Sequence, residues 1–167
     1  LQRTQRVWAS DSNDPIERQR IQRWTGTLVP PELVGSHVGP PIAETTHRAA
    51  SLPFRMTTAL FGHAGIEWDI TRCTSEEREM LSRWTALYRE LRPLLHSGVT
   101  VRSDEVDDET LLHGVVAGDG SRGVFAWVRL GTSVDGFTPR TRIPGLQAGE
   151  RLSLIHISEP TRPERIS

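Results

Sequence analysis

A short polar cluster near the start of the chain holds the residues best suited to chemistry. Asp11 directly follows the apolar run 6–9 and Ser10, and Asp14 comes three residues later. Catalytic groups of βα folds lie at the carboxyl ends of strands, so this position suits a catalytic carboxylate. The same residues are also typical of a turn, and Asp14 is suited to an N-cap or to an ion pair with Arg18. Spacing alone therefore leaves both interpretations of Asp11 open.

Three further titratable groups lie in predicted strands. His37 is at the end of the second one, where it either shapes a pocket or packs as a hydrogen-bonded histidine. Glu67 and Asp69 are two residues apart, which places both carboxylates on one face of a strand. We expect these two carboxylates to pair with Arg55 or Arg72 rather than to form an acid/base pair.

The composition excludes several mechanisms and partners. All 20 basic side chains are arginine, which excludes a Schiff-base lysine and the lysine of a phosphate-binding loop. Cys73 is the only cysteine, so an internal disulfide and a multi-cysteine metal site are excluded too. The net charge of −1 indicates neither nucleic acid nor a membrane surface as a partner. The sequence predicts a cytoplasmic protein, and arginine without lysine indicates a high-GC bacterial genome.

The order of apolar runs predicts an α/β part followed by a β part. Strands alternate with helices, predicted at 6–9, 16–24, 33–38, 48–61, 65–70 and 74–95. Thr74 and Glu77 form a capping box for the last helix, which ends at 96–98. Two β-rich runs follow, at 110–117 and 123–130, and a Gly/Asp hairpin signal joins them. We therefore predict a domain boundary near 98–103.

Several motifs follow one another within residues 7–130. The central one is Trp8-Ala9-Ser10-Asp11-Ser12-Asn13-Asp14, and later ones are Pro30-Pro31, Gly35-Ser36-His37-Val38, His47-Arg48, Phe61-Gly62 and Gly65-Ile66-Glu67-Trp68-Asp69-Ile70. Together they resemble the microbial α-galactosidases of glycoside hydrolase family 36, which carry a Trp-x-Ser-Asp-Asn-Thr-Asp element. The family's Asn-Thr is replaced by Ser12-Asn13 here, which keeps polar turn residues.

The resemblance implies an α/β plus β fold: the last three βα units of a (β/α)₈ TIM barrel, then part of a C-terminal antiparallel β-sandwich. It divides the chain into barrel residues 1–98 and a partial β domain at 99–151. Residues 152–162 and 166–167 match the in-frame translation of a DNA-library adapter. We therefore expect the tail 152–167 to be non-native.

The resemblance also assigns Asp11 the general acid/base role of a retaining glycosidase. The family's aspartate nucleophile lies on the fourth barrel strand, upstream of Leu1, so we expect this chain alone to be inactive. Further candidates for the substrate pocket or for support of Asp11 are Trp8, Ser10, Asp14 and His37.

The implied substrate is an oligosaccharide with a terminal α-linked galactose, such as melibiose or raffinose, and the implied chemistry needs no metal and no organic cofactor. Two alternatives stay open. One is an α-N-acetylgalactosaminidase or galactosyl-transferring enzyme of the same architecture. The other is a non-catalytic βα/β fragment that binds carbohydrate or protein. Whether the parent enzyme is homo-oligomeric is also open.

Overall fold

The computed structural model describes residues 4–104, 106, 109–132, 141–147 and 149. Its helices are α1 (Pro15–Thr25), α2 (Leu52–Ala59) and α3 (Ser75–Leu95). Its strands are β1 (Gly35–Val38), β2 (His63–Ile66), β3 (Val99–Ser103), β4 (Thr110–Val116) and β5 (Gly123–Arg129). The adapter prediction for 152–167 lies outside the described residues, and the β domain predicted at 99–151 is described only in part.

Three neighbouring stretches of chain run parallel in the amino-terminal half. β1 pairs with β2 in parallel register along its whole length. On the other side of β1, Val7 forms a parallel bridge with Val34, and Gly35 N–H donates to Val7 O at 2.9 Å. The strand predicted at 6–9 is thus a single bridge, here called the Val7 stretch. Helices α1 and α2 are the crossovers, so the three carboxyl ends meet at one edge.

Local signals explain where α1 and α3 begin. Asp14 caps α1, and its Oδ1 accepts a hydrogen bond from Ile16 N–H at 2.9 Å. The proline that follows fits the first helical turn because its missing N–H has no partner there. Thr74 and Glu77 form the predicted reciprocal capping box of α3. Both helix starts confirm the sequence prediction.

Two predicted elements end or begin elsewhere. α2 begins after the predicted residue 48, because Ala49 forms an antiparallel bridge with Ile42 and the backbone there is extended. β2 is displaced towards the amino terminus and stops before the predicted 70. The reason is that Asp69 caps the 3₁₀ turn Ile70–Arg72, where its side chain accepts a backbone hydrogen bond.

The carboxyl-terminal half forms an antiparallel sheet in the order β3-β4-β5. β4 and β5 and the hairpin between them agree with the sequence prediction, whereas β3 was not predicted. The sheet and the helices share one apolar core, whose buried members are Val38, Leu52, Met56, Ala59, Leu60, Phe61, Cys73, Leu81, Trp84, Tyr88, Leu94, Leu95, Leu111, Val115, Ala126 and Val128. This core packs the helices and β1 against the antiparallel sheet.

Candidate active site

Asp11 lies just beyond the carboxyl end of the Val7 stretch. Trp8 Nε1–H donates a hydrogen bond to Asp11 Oδ1 at 2.9 Å. Asp11 is exposed, and Trp8 keeps 42% of its surface exposed, although indoles are usually well buried. The pair therefore places an indole and a carboxylate side by side at the surface of the described structure.

Three neighbouring residues lie against the Trp8 ring. The His37 ring lies 4.8 Å away between centroids, tilted by 47°. The guanidinium carbon of Arg18 lies 5.1 Å from the ring centroid, which is within the range of a cation–π interaction. Gly35 lies against the ring so closely that a Cβ there would be 2.7 Å from Trp8 Cε3. A side chain at Gly35 would therefore displace the indole.

His37 lies in β1 beside Trp8, where the sequence predicted a pocket or packing residue. Its Nδ1 is 3.9 Å from Glu67 Oε2. Burial lowers the pKa of His37; the charge of Glu67 opposes this shift and the charge of Arg18 adds to it. The imidazole is therefore mainly neutral at pH 7, so it contributes packing and hydrogen-bonding capacity rather than a full positive charge.

The prediction that Glu67 pairs with Arg55 or Arg72 is wrong, because Glu67 approaches His37 instead. The Arg55 guanidinium points elsewhere and donates to Gly39 O at 2.6 Å. The second carboxylate of the predicted pair, Asp69, caps its own 3₁₀ turn. The two carboxylates thus have different partners: hydrogen bonds from Thr71 lower the pKa of Asp69, and the charge of Arg72, one of the predicted arginines, adds to this shift.

Asp14 is fully buried and organises the turn that carries Asp11. Besides capping α1, its Oδ2 accepts hydrogen bonds from Thr46 Oγ1 at 2.7 Å and from Arg48 Nη1 at 2.6 Å. Burial alone would raise the pKa of Asp14, but the hydrogen bonds from Thr46 and the backbone and the charge of Arg48 outweigh it and lower the pKa. The predicted N-cap is confirmed, whereas the alternative partner Arg18 bonds elsewhere.

The rest of the polar turn is also satisfied by hydrogen bonds. Ser12 N–H donates to Ser10 Oγ at 3.1 Å, and Ser12 Oγ donates to Glu17 Oε2 at 2.8 Å. Asn13 Oδ1 accepts from Glu44 N–H at 2.9 Å, which ties the turn to the loop after β1. Ser10 thus supports the backbone of the turn. Ser12 and Asn13, which depart from the resembled motif, both form side-chain hydrogen bonds in this network.

Sequence reasoning missed Thr46 and Arg48, which close the loop after β1 onto Asp14. Both contacts join residues more than thirty positions apart, and residue spacing carries no signal for such contacts. The loop also contains His47 with a φ of 56°, an uncommon left-handed conformation for a side chain. The motif His47-Arg48 marked the segment as characteristic but gave it no role.

The described residues give little support for a metal site, a membrane span or a reactive thiol. In the described ranges, no group of three or more His, Cys, Asp or Glu side chains is arranged to hold a metal ion. No helix there combines the length and apolar composition that a membrane span requires. Cys73 is buried just before α3, and burial raises the pKa of its thiol, so it is a packing residue.

A comparison with protein families identifies the part of the chain that contains the three parallel stretches. Residues 1–98 match the family model described as Melibiase. The chain belongs to the Melibiase family. The matched residues include Asp11, Trp8 and His37, so the whole candidate site of this Melibiase chain lies within the family region.

Relatives of this Melibiase chain are α-galactosidases. The α-galactosidase of Escherichia coli is 40% identical over 160 residues, which cover 96% of this chain and 23% of the relative. A crystal structure of a variant of the family 36 α-galactosidase AgaA from Geobacillus stearothermophilus, in complex with 1-deoxygalactonojirimycin, matches with a TM-score of 0.80 at 28% identity. That match covers 86% of this chain and 20% of AgaA.

A second AgaA structure, of a variant in complex with raffinose, matches with a TM-score of 0.78 at 27% identity and covers 85% of this chain and 20% of that protein. The chain thus spans about a fifth to a quarter of the length of the curated relatives it matches. The Melibiase assignment therefore rests on a chain that corresponds to only part of these relatives, and the candidate site lies within that part.

Proposed function

We propose that this chain is the segment of a retaining α-galactosidase that supplies the general acid/base, Asp11. The observation that carries the proposal is the exposed Trp8–Asp11 pair at the carboxyl end of the first of three parallel stretches. Active sites of βα barrels lie at this end of the strands. The family membership of residues 1–98 supports the same assignment.

The proposed reaction is a double displacement. An aspartate supplied by the preceding part of the enzyme attacks the anomeric carbon and breaks the glycosidic C–O bond, while Asp11 gives its proton to the leaving oxygen. Asp11 is then a carboxylate, and it takes a proton from the water molecule that displaces the aspartate from the sugar. Galactose leaves with its α configuration retained, and Asp11 is protonated again for the next cycle.

The proposed architecture follows from the same elements. The Val7 stretch, β1 and β2 with their helices are assigned to the last three βα units of a (β/α)₈ barrel, covering residues 1–98. The sheet β3-β4-β5 is assigned to a partial β-sandwich at 99–151. The parallel order of the first three stretches and the antiparallel order of the last three strands support this division.

The proposed substrate is an oligosaccharide that ends in α-linked galactose. AgaA variants, to which the chain is similar, have been crystallised with raffinose and with stachyose. Raffinose is therefore the first natural substrate to test. A bacterial, cytoplasmic enzyme, expected from the composition, stays a prediction.

The proposal is tested with Asp11→Ala in a full-length enzyme. Such an enzyme is obtained from the source genome, or by building this chain into the E. coli α-galactosidase in place of the segment that it matches. Loss of the general acid should slow raffinose hydrolysis about 10²- to 10⁴-fold. A dinitrophenyl α-galactoside, whose leaving group needs no proton, should lose less than about tenfold in the first step.

Asp119→Ala is the matched control, because Asp119 is an exposed carboxylate in the β4–β5 hairpin and, among the described residues, its side chain accepts hydrogen bonds from Ser121. This control should keep both rates. An equal loss of activity on both substrates in Asp11→Ala would contradict the acid/base assignment.

A further inference from the structure

Arg18 is a buried cation without a carboxylate in contact within the described part of the chain. It lies one turn into α1 and is only 4% exposed. Its Nη1 donates to Ser10 O at 2.9 Å and its Nη2 donates to Gly35 O at 2.7 Å. Burial lowers the pKa of this guanidinium, and the charge of Glu67 only partly offsets that effect. Holding the charge here therefore carries a free-energy cost that carbonyl hydrogen bonds must offset.

The two carbonyl groups lie at different parallel stretches. Ser10 lies between the Val7 stretch and Asp11, and Gly35 is the first residue of β1. A planar guanidinium can donate to both at once, whereas an ammonium group lacks this fixed fork. Arg18 thus fixes Ser10 relative to β1, beyond the point where the backbone pairing of the Val7 stretch ends.

The same guanidinium also lies against Trp8, 5.1 Å from the ring centroid. With His37 against the ring and no side chain at Gly35, the indole has one supported orientation. In that orientation its N–H points at Asp11 Oδ1. One oxygen of Asp11 is therefore occupied by a donor, and Oδ2 is left to carry and transfer the proton.

From these contacts we infer that Arg18 is a positioning residue for the acid/base step, acting through Trp8 to orient the Asp11 carboxyl so that Oδ2 faces the glycosidic oxygen. The inference rests on the proposed function. It adds which oxygen of Asp11 transfers the proton, and it names Arg18 and Trp8 as the side chains that select this oxygen. Arg18 and Trp8 need not touch the reacting atoms.

The chain offers a matched control on the next βα unit. Arg55 is 3% exposed, donates to the carbonyl groups of Gly39 and Ala50, and lies 4.6 Å over the Trp68 ring. It has the same burial and the same kinds of partners as Arg18, but no link to Asp11. A purely structural guanidinium should behave like Arg55, whereas a positioning residue should not.

The experiment compares Arg18→Lys, Trp8→Phe and Arg55→Lys in the full-length enzyme, with kcat/KM, which reports the first step, measured on raffinose and on a dinitrophenyl α-galactoside. Arg18→Lys keeps the charge but loses the fork, and Trp8→Phe keeps a ring but loses the N–H. Each should lower kcat/KM on raffinose roughly tenfold to a hundredfold more than on the activated substrate, because small misplacements of catalytic groups cost that much. Arg55→Lys should lower the two rates equally or only reduce thermal stability.

The double variant Trp8→Phe/Arg18→Lys provides the sharper test. Because Arg18 acts mainly through the indole N–H, its effect on the ratio of the two rates should become much smaller once Trp8 is phenylalanine. If Arg18→Lys does not fold, the leaving-group dependence of Trp8→Phe alone decides the inference. The inference would be overturned if Trp8→Phe lost the same activity on both substrates. It would also be overturned if Arg18→Lys behaved like Arg55→Lys. Either result would leave the proposed function intact. A parent enzyme inactive on both substrates would overturn the proposed function, and the inference with it.

Discussion

Individual arginine side chains connect the parallel stretches of this chain. Arg18 donates hydrogen bonds to two backbone carbonyl groups and lies against the Trp8 ring. In the next βα unit, Arg55 likewise donates to two carbonyl groups and lies over the Trp68 ring. A planar cation with several donors suits both positions, whereas lysine would lose the paired hydrogen bonds and much of the stacking. The absence of lysine from the chain is therefore compatible with both buried sites.

His113 predicts a pH dependence of stability. It lies in β4 against Phe61, with ring centroids 4.6 Å apart. Burial and the charges of Arg102 and Arg23 lower its pKa from 6.5 to about 4. The folded protein therefore favours the neutral ring, and the associated stability is complete above pH 6.5 and is lost as the pH falls towards 4. Between pH 7.5 and pH 5 the loss amounts to about 2 kcal/mol.

The measurement is urea unfolding of the full-length enzyme at pH 7.5 and pH 5, for the parent and for His113→Gln. The variant cannot be protonated, so its free energy of unfolding should fall about 2 kcal/mol less than that of the parent. Carboxylates such as Asp14 contribute to acid destabilisation in both proteins and cancel in the comparison. An identical fall in both proteins would contradict the role of His113.

Single side chains were predictable where a local rule determines them. Asp14 was expected to cap α1 because a proline follows it, and the structure confirms this. Its contacts with Thr46 and Arg48 were not predictable, because they depend on how a loop more than thirty residues away folds back. Arg18 was considered a partner of Asp14 from its four-residue spacing, but the guanidinium extends instead to two backbone carbonyl groups.

Helices were easier to predict than strands in this chain. The period of apolar residues and the capping box placed α3 correctly, because both signals are local. The parallel strands are only four residues long, so their ends depend on pairing with neighbours rather than on their own sequence. β3 was missed although Val99, Thr100 and Val101 are β-branched and alternate, because this run is too short to stand out on its own, and its pairing with β4 extends the strand to Ser103.

The capping box predicts a measurable contribution to the stability of α3. Glu77 N–H donates to Thr74 Oγ1 at 3.2 Å, and Thr74 N–H donates to Glu77 Oε2 at 2.9 Å. Thr74→Ala removes the acceptor and should lower the free energy of unfolding by about 1 kcal/mol. Ser75→Ala, one residue later, removes a hydroxyl that bonds only to Glu76 in the described structure and should have little effect.

Urea unfolding of the two variants of the full-length enzyme distinguishes them. Equal stability of Thr74→Ala and Ser75→Ala would show that the capping box does not stabilise α3. In that case, the packing of the buried face of α3, which includes Leu81, Trp84 and Tyr88, would account for the helix alone.

The molecule as a whole combines a site on the parallel part with a core that extends into the antiparallel sheet. β3 begins within the predicted boundary region 98–103, yet apolar residues on both sides of it share one core. The match with the E. coli α-galactosidase covers 96% of the chain and therefore reaches into the tail 152–167. Sequencing this region of the source genome directly tests whether the tail is adapter-derived.

The central claim is that Asp11 is the acid/base, and not the nucleophile, of a retaining α-galactosidase. Its most direct test is the configuration of the product that Asp11→Ala forms from a dinitrophenyl α-galactoside in the presence of azide. Without the acid/base, azide should displace the enzyme's aspartate from the covalent galactosyl intermediate, and two successive inversions should give α-galactosyl azide. Nuclear magnetic resonance of the product distinguishes the anomers. β-Galactosyl azide would mean a single displacement in a variant lacking its nucleophile, and it would contradict the account.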